Sequence, residues 1–170
     1  MVPAQQIRCQ NRYAAIFLLK PKCSSGRTCG HAMISTTISM ESDFDRWNEI
    51  KKRLARNAPT PPAFPKSGEV WMCTLGKNLG RKQNGSSQDF SRPVLVVKKF
   101  NNEIFWVVPL STKQKPLDFY FNYNDPSGAP VAAILAQLRL VSVNRFRRDI
   151  YALPVAQLRE VRARLRAFMT

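Results

Sequence analysis

The chain has 170 residues, about the size of one domain, and carries 27 Lys+Arg against 11 Asp+Glu, a formal charge of +16 at pH 7. A field that strong does little for a fold and points to a polyanionic partner, nucleic acid first and an anionic membrane surface second. A hydrophobic content of 44% excludes disorder throughout, and no apolar run approaches the roughly 20 residues of a membrane span, so the chain reads as soluble and cytoplasmic, with no membrane partner.

Residues 1–40 hold Arg8, Arg12, Lys20, Lys22 and Arg27, no acidic residue and no sustained period. They read as a basic, disordered extension or an over-called start, with Met33 and Met40 as other start positions and an organellar transit peptide ranked lower. Residues 41–67 read as a helix plus a Pro-rich connector. Ser42 and Asp45 form a capping box, and Phe44, Trp47, Ile50 and Leu54 share one helical face. Lys51, Lys52, Arg53 and Arg56 suit the negative C-terminal end, and Asn57 and Pro59 stop the helix. The stretch Asn57–Pro65 is stiff and extended.

Residues 68–170 read as one domain. Gly68–Leu75 is a first strand. Gly76–Ser91 is a glycine-rich, basic and mobile loop, long enough to be functional. Pro93–Phe100 and Glu103–Leu110 are strands joined through Asn101-Asn102, read as a two-residue turn with positive φ. Leu117–Tyr123, Val131–Leu135 and Leu138–Val143 follow, with turn chemistry at Asn124–Gly128. Val155, Leu158, Val161, Leu165 and Phe168 mark a closing amphipathic helix with Pro154 at its first turn. Short strands of this number curl into a small barrel that hides its edges.

A single histidine, His31, excludes a two-histidine ribonuclease mechanism. The carboxylates are scattered, whereas a two-metal nuclease gathers them. Cys9, Cys23, Cys29 and Cys73 lack CxxC spacing and have only His31 near them, so neither a metal nor another cofactor is expected. Gly76-Lys77-Asn78-Leu79-Gly80 lacks the GK[ST] of a phosphate-binding P-loop. The chemistry is left to Arg, Lys, Ser, Thr and backbone groups.

The blocks GEVWMCTLGKNLG (68–80), SRPVLVVKKFNNEIFWVVPLSTK (91–113) and AAILAQLRLVSVNRF (132–146), followed by a closing helix, resemble the MazF/PemK toxin family over residues 68–170. The resemblance implies a mainly β with α fold: a small SH3-like antiparallel β-barrel of the CcdB/PemK-like type, with a C-terminal helix and an N-terminal helical lead-in. It implies the toxin of a type II toxin–antitoxin system, a homodimer neutralised by a cognate antitoxin. The implied activity is that of an mRNA interferase, a metal-independent, sequence-selective endoribonuclease. Such an enzyme cuts single-stranded RNA to 2′,3′-cyclic phosphate and 5′-hydroxyl ends. The family's catalytic arginine maps onto Arg92 and its catalytic threonine onto Ser111, which keeps the hydroxyl. Gln137 and Arg139 map onto groove-lining positions, and Thr112 joins them as an RNA contact. A Glu that some members use in the loop is Lys82 here.

Arginine presents a fork of donors that matches a phosphate, and a hydroxyl donates to a phosphate oxygen. Pairing through the Asn101-Asn102 turn predicts that Arg92 and Ser111 lie close together. Lys77, Arg81 and Lys82 are placed on a loop able to close on a strand of RNA. Trp71, Phe105 and Trp106 are either base-stacking or core residues, the core reading being the commoner for strand positions. Arg159, Arg162, Arg164 and Arg166 are the wet face of the last helix or an extension of the basic surface. Two alternatives stay open. Lys82 fits a degenerate member that grips RNA or an antitoxin without cutting, and related gyrase-poisoning toxins share the barrel and act by protein contact.

Overall fold

The computed structural model describes residues 32–56 and 64–170. The chain divides into two units, Met1–Thr36 and Thr37–Thr170, and of the first only the start of a helix is described. The expectations for residues 1–31, with Cys9, Cys23, Cys29 and His31, and for the connector 57–63 lie outside the described residues.

The elements are α1 (Ala32–Arg56), β1 (Glu69–Thr74), β2 (Ser91–Lys99), β3 (Ile104–Ser111), β4 (Tyr120–Asn124), β5 (Pro130–Ile134), β6 (Arg139–Ser142), β7 (Phe146–Ala152) and α2 (Val155–Ala167). They form a seven-stranded antiparallel sheet in the order β4-β5-β3-β2-β1-β7, with β6 on β3. β3 is the hub. One side pairs with β2; the other gives Ile104–Val107 to β6 and Leu110–Ser111 to β5. The sheet curls until its outer strands meet, where the Tyr123 and Tyr151 hydroxyls hydrogen-bond at 2.9 Å. Burial and the bond to Tyr151 push the Tyr123 phenol above the ordinary tyrosine range.

The apolar run of β2 follows from burial on both faces. Leu95 and Val97 point into a core with Val108, Leu110, Phe121 and Leu153 that α2 covers with Val161 and Leu165. Val94 and Val96 point the other way, into a core with Trp71, Phe105, Val141 and Phe146. A strand buried on both faces reads as a continuous hydrophobic run rather than as an alternation. Each of Leu158, Val161 and Leu165 contributes roughly 1.5–3 kcal/mol by leaving water. Arg162 leaves the wet face expected of it: its Nε and Nη2 donate to the Val97 carbonyl at 3.0 and 2.7 Å.

Several expectations are corrected. α1 starts at Ala32, well before Ser42, so Ser42 and Asp45 lie inside the helix; no Gly or Pro between Ala32 and Ser42 interrupts it. The Asn101-Asn102 turn has no positive φ. Instead the Asn101 side chain closes the loop, its Oδ1 accepting from the Glu103 and Ile104 N–H groups, both at 2.8 Å. Such an Asx turn satisfies backbone donors without a left-handed residue. Val155 and Phe168 are exposed rather than part of the buried stripe, and Pro154 immediately precedes α2. β7 was not foreseen. After Phe146 its residues Arg147, Arg148, Asp149 and Ile150 are all exposed, so the strand carries no alternation to read.

Candidate functional site

The loop between β1 and β2 is tied into a folded tongue. Where the chain leaves β1 it meets the chain entering β2: the Leu75 and Gly76 N–H groups both donate to the Phe90 carbonyl, at 3.0 and 3.1 Å. Gly85 N–H donates to the Gly76 carbonyl at 2.9 Å, and a side chain at Gly85 would collide with the Phe90 backbone, so glycine alone permits this closure. Asn78 bridges the two arms, its N–H donating to Asn84 Oδ1 at 2.7 Å and its Nδ2 to the Gln83 carbonyl at 2.8 Å. The loop expected to be mobile is therefore held by backbone and side-chain hydrogen bonds of its own. Two non-glycine residues in it take positive φ, Ser87 at 66° and Phe90 at 48°. Each costs on the order of 1 kcal/mol and persists because its surroundings hold it.

Gln137, expected in the groove, pins the tip of the tongue. Its Oε1 accepts from Gln83 N–H at 2.7 Å and its Nε2 donates to the Arg81 carbonyl at 3.3 Å. Arg81 and Lys82 present exposed side chains on that tip.

Arg92 sits half-buried where the tongue becomes β2. Its Nε donates to the Asn84 carbonyl at 2.7 Å and its Nη1 to the Leu110 carbonyl at 3.2 Å. These bonds fix the guanidinium plane and leave Nη2 without a protein acceptor among the described residues. Burial draws the Arg92 pKa down from the usual arginine value. The bond to Leu110 places Arg92 beside the β3 end that carries Ser111. Ser111 Oγ accepts from Lys113 N–H at 3.1 Å, which leaves its own proton free to donate. Thr112 is exposed next to it. The structure thus brings together Arg92, the Ser111 strand end and the Gln137-pinned tip with Arg81 and Lys82.

Lys77 is not part of that group. Its ammonium donates to Asp43 Oδ2 of α1 at 2.8 Å, and this bond holds the Asp43 carboxyl below its ordinary pKa. Trp71 and Phe105 are core residues, and Trp106 is half-buried with its ring edge-on to Phe100 at 5.0 Å.

Sequence reasoning missed Arg145 and Arg147. Both reach the end of β1: Arg145 Nη1 donates to the Thr74 carbonyl at 3.4 Å and Arg147 Nε to Thr74 Oγ1 at 3.0 Å. Cys73, next to Thr74, lies opposite Arg92 on one side and Phe146 on the other. Arg139 is half-buried nearby; burial first, and the charge of Arg145 after it, draw its pKa down. Among the described residues the salt bridges use Arg46, Lys52, Lys77 and Arg164, so Arg92, Arg139, Arg145 and Arg147 stand without a carboxylate. No local signal marked them: Arg145 ends a short 3-10 turn (Val143–Arg145) and Arg147 lies in β7, whose exposed run shows no alternation.

Burial pushes the Cys73 thiol up to about 12, against the smaller pull of Arg145, Arg139 and Arg147. The thiol is therefore neutral at pH 7. Iodoacetamide is expected to leave Cys73 unmodified in the folded protein and to label it after denaturation, read by peptide mass spectrometry; labelling of the native chain at Cys73 would contradict the placement.

No group of three His, Cys, Asp or Glu side chains is gathered for a metal among the described residues, and no described helix is long and apolar enough to cross a membrane. A crystal structure of MazF from Deinococcus radiodurans is similar in fold, with a TM-score of 0.54 and 19% identity over 63% of this chain and 97% of that one. A MazE–MazF structure from the same organism gives 0.50 and 18% over 63% and 96%. Comparison with curated protein sequences gave no match. The family model described as PemK-like, MazF-like toxin of type II toxin–antitoxin system matches residues 66–169. With most of the chain inside that match, and with the antiparallel sheet and closing helix of a MazF-like fold, the chain belongs to the PemK-like, MazF-like family of type II toxins.

Proposed function

We propose that the chain is an endoribonuclease that cuts single-stranded RNA without a metal, leaving 2′,3′-cyclic phosphate and 5′-hydroxyl ends. The observation that carries this reading is Arg92: a half-buried guanidinium, locked in orientation by two backbone carbonyls, with Nη2 unsatisfied and no carboxylate partner among the described residues, beside the strand end that carries Ser111. In this reaction the ribose 2′-hydroxyl loses its proton and attacks phosphorus. The bond to the 5′ oxygen breaks, and that oxygen takes up a proton. Negative charge grows on the non-bridging oxygens, where Arg92 and the Ser111 proton donate. Arg81 and Lys82 on the pinned tip, with Thr112, Arg139, Arg145 and Arg147, supply the cationic and hydroxyl surface for the flanking backbone. Gln137 serves by holding the tip.

The same reading extends to partners. A similar fold is known in a MazE–MazF structure, and a chain of +16 fits an acidic antitoxin segment laid over the same cations. Self-association into a homodimer fits the apolar cleft of about 330 Å³ between Phe119, Leu135, Leu138, Leu165, Phe168 and Met169, which leaves Phe119, Phe168 and Met169 exposed.

Lys82 favours a second reading, a binding module that grips RNA without cutting, because it places a cation where some relatives use a carboxylate. The deciding experiment incubates purified protein with a defined single-stranded RNA in excess EDTA. Discrete fragments ending in cyclic phosphate are expected. Binding to the uncut RNA is expected to weaken steeply with salt, about 300-fold between 50 and 200 mM if six phosphates are neutralised. Intact RNA with binding retained would establish the second reading, and Lys82→Glu would then be the variant to assay.

A further inference from the structure

α1 lies outside the segment that the family model matches, yet it holds the tongue at both ends. At the start, Asp43 takes Lys77, and the Trp47 indole occupies the space where a side chain on Gly76 would stand. At the other end the Trp47 ring meets Phe90 edge-on, with centroids 5.9 Å apart, and the Arg46 guanidinium lies 4.9 Å over the Phe90 ring. Trp47, Ile50 and Phe90 form a small buried cluster of their own, separate from the two cores of the barrel.

Phe90 is the strained residue on which the tongue closes. Its φ of 48° is left-handed, its carbonyl receives the Leu75 and Gly76 N–H groups, and Ser91 and Arg92 follow directly. A phenylalanine does not favour that conformation, so something must hold its ring. The α1 cluster is what touches that ring.

We propose that Trp47 is a positioning residue: by holding Phe90 left-handed it keeps the tongue closed and thereby aims Arg92. The inference rests on the reading of Arg92 as the phosphate-binding group. α1 is then an addition to the family domain that sets the geometry of its site. Trp47 itself touches no substrate.

The test uses the full chain with Trp47→Ala and Trp47→Phe. Two quantities are read: kcat for RNA cleavage beside the Kd for a 2′-O-methyl single-stranded RNA of the same sequence, and amide hydrogen exchange at Leu75 and Gly76, the donors to Phe90. Trp47→Ala is expected to lower kcat by about tenfold or more while Kd stays within about twofold, because misplacement harms the transition state more than the grip. Exchange at Leu75 and Gly76 should rise about tenfold relative to Val96 in the core of β2, a local opening and not a global one. Trp47→Phe, which keeps a ring on Phe90, should remain within about threefold of the parent chain in both.

The proposal is overturned if Trp47→Ala leaves kcat and the two amides unchanged, or if Val96 exchange rises as much as theirs. If the alanine variant does not fold, Trp47→Leu takes its place under the same criteria. A parent chain that binds RNA without cutting it defeats the reading of the site and not this inference. Exchange at Leu75 and Gly76 then decides it alone.

Discussion

Arg92→Ala is expected to lower RNA cleavage by about 10²–10³-fold or more, the usual cost of removing a preorganised donor from a developing oxyanion. The structure separates this effect from a loss of fold. Alanine removes two hydrogen bonds, to the Asn84 and Leu110 carbonyls, worth about 1 kcal/mol each. A domain of this size then melts a few degrees lower, on the order of 2–4 °C per kcal/mol, and stays folded at assay temperature. Arg92→Lys sharpens the test. Lysine keeps the charge but cannot bond both carbonyls and still present a planar pair of donors to phosphate. It should recover RNA affinity and little of the turnover. Cleavage of end-labelled RNA by both variants, beside their thermal melts, provides the measurement. Turnover by Arg92→Ala within about threefold of the parent chain would remove Arg92 from the reaction.

The largest loss of stability is expected at Phe105. Its side chain is fully buried on β3, edge-on to Phe146 at 5.2 Å, and Phe146 is in turn edge-on to Trp71 at 5.9 Å. Phe105→Ala should cost about 3–5 kcal/mol from the lost burial and the cavity left behind. That is a large share of the roughly 5–15 kcal/mol that holds a domain together. Urea unfolding followed by tryptophan fluorescence would show it as a lower midpoint at unchanged slope. A loss under about 1 kcal/mol would mean that the second core is not packed as described. Because Phe146 opens β7, the variant should also loosen Arg147 beside it, and weaker RNA binding should accompany the lower midpoint.

What could be read from the sequence followed what burial does to composition. β2 and β3 are covered on both faces, so their apolar runs announced them, and the alternating buried pair Phe121 and Tyr123 marked β4. The 3.6-residue spacing of Leu158, Val161 and Leu165 marked α2. β7 was hidden because its cations face water and its pairing with β1 is long-range. The tongue was hidden for a related reason. Asn78, Asn84 and Gln137 look like loop polarity until the fold brings them together, and nothing local says that Gln137 reaches Gln83. The closeness of Arg92 to the Ser111 strand end did follow from hairpin pairing, although the turn that makes the hairpin is an Asx turn and not the one expected. The tie between Lys77 and Asp43 spans two segments that no periodicity connects.

The Tyr123–Tyr151 bond gives the barrel a seam. The strands that pair in the sheet are joined by ladders of backbone hydrogen bonds. Between β4 and β7 there is a clasp: two phenols and the apolar side chains around them. Parting a ladder breaks several bonds together, whereas parting the clasp breaks one. Thermal breathing is therefore expected to part this line more readily than any of the ladders. Parting it uncovers the outer edges of β4 and β7, which no ladder pairs. On β7 the exposed Arg147, Arg148 and Asp149 keep that edge wet and repel a second strand of the same kind. The charge assigned above to a polyanion would thus also guard the chain at the moment it is most exposed to its own copies.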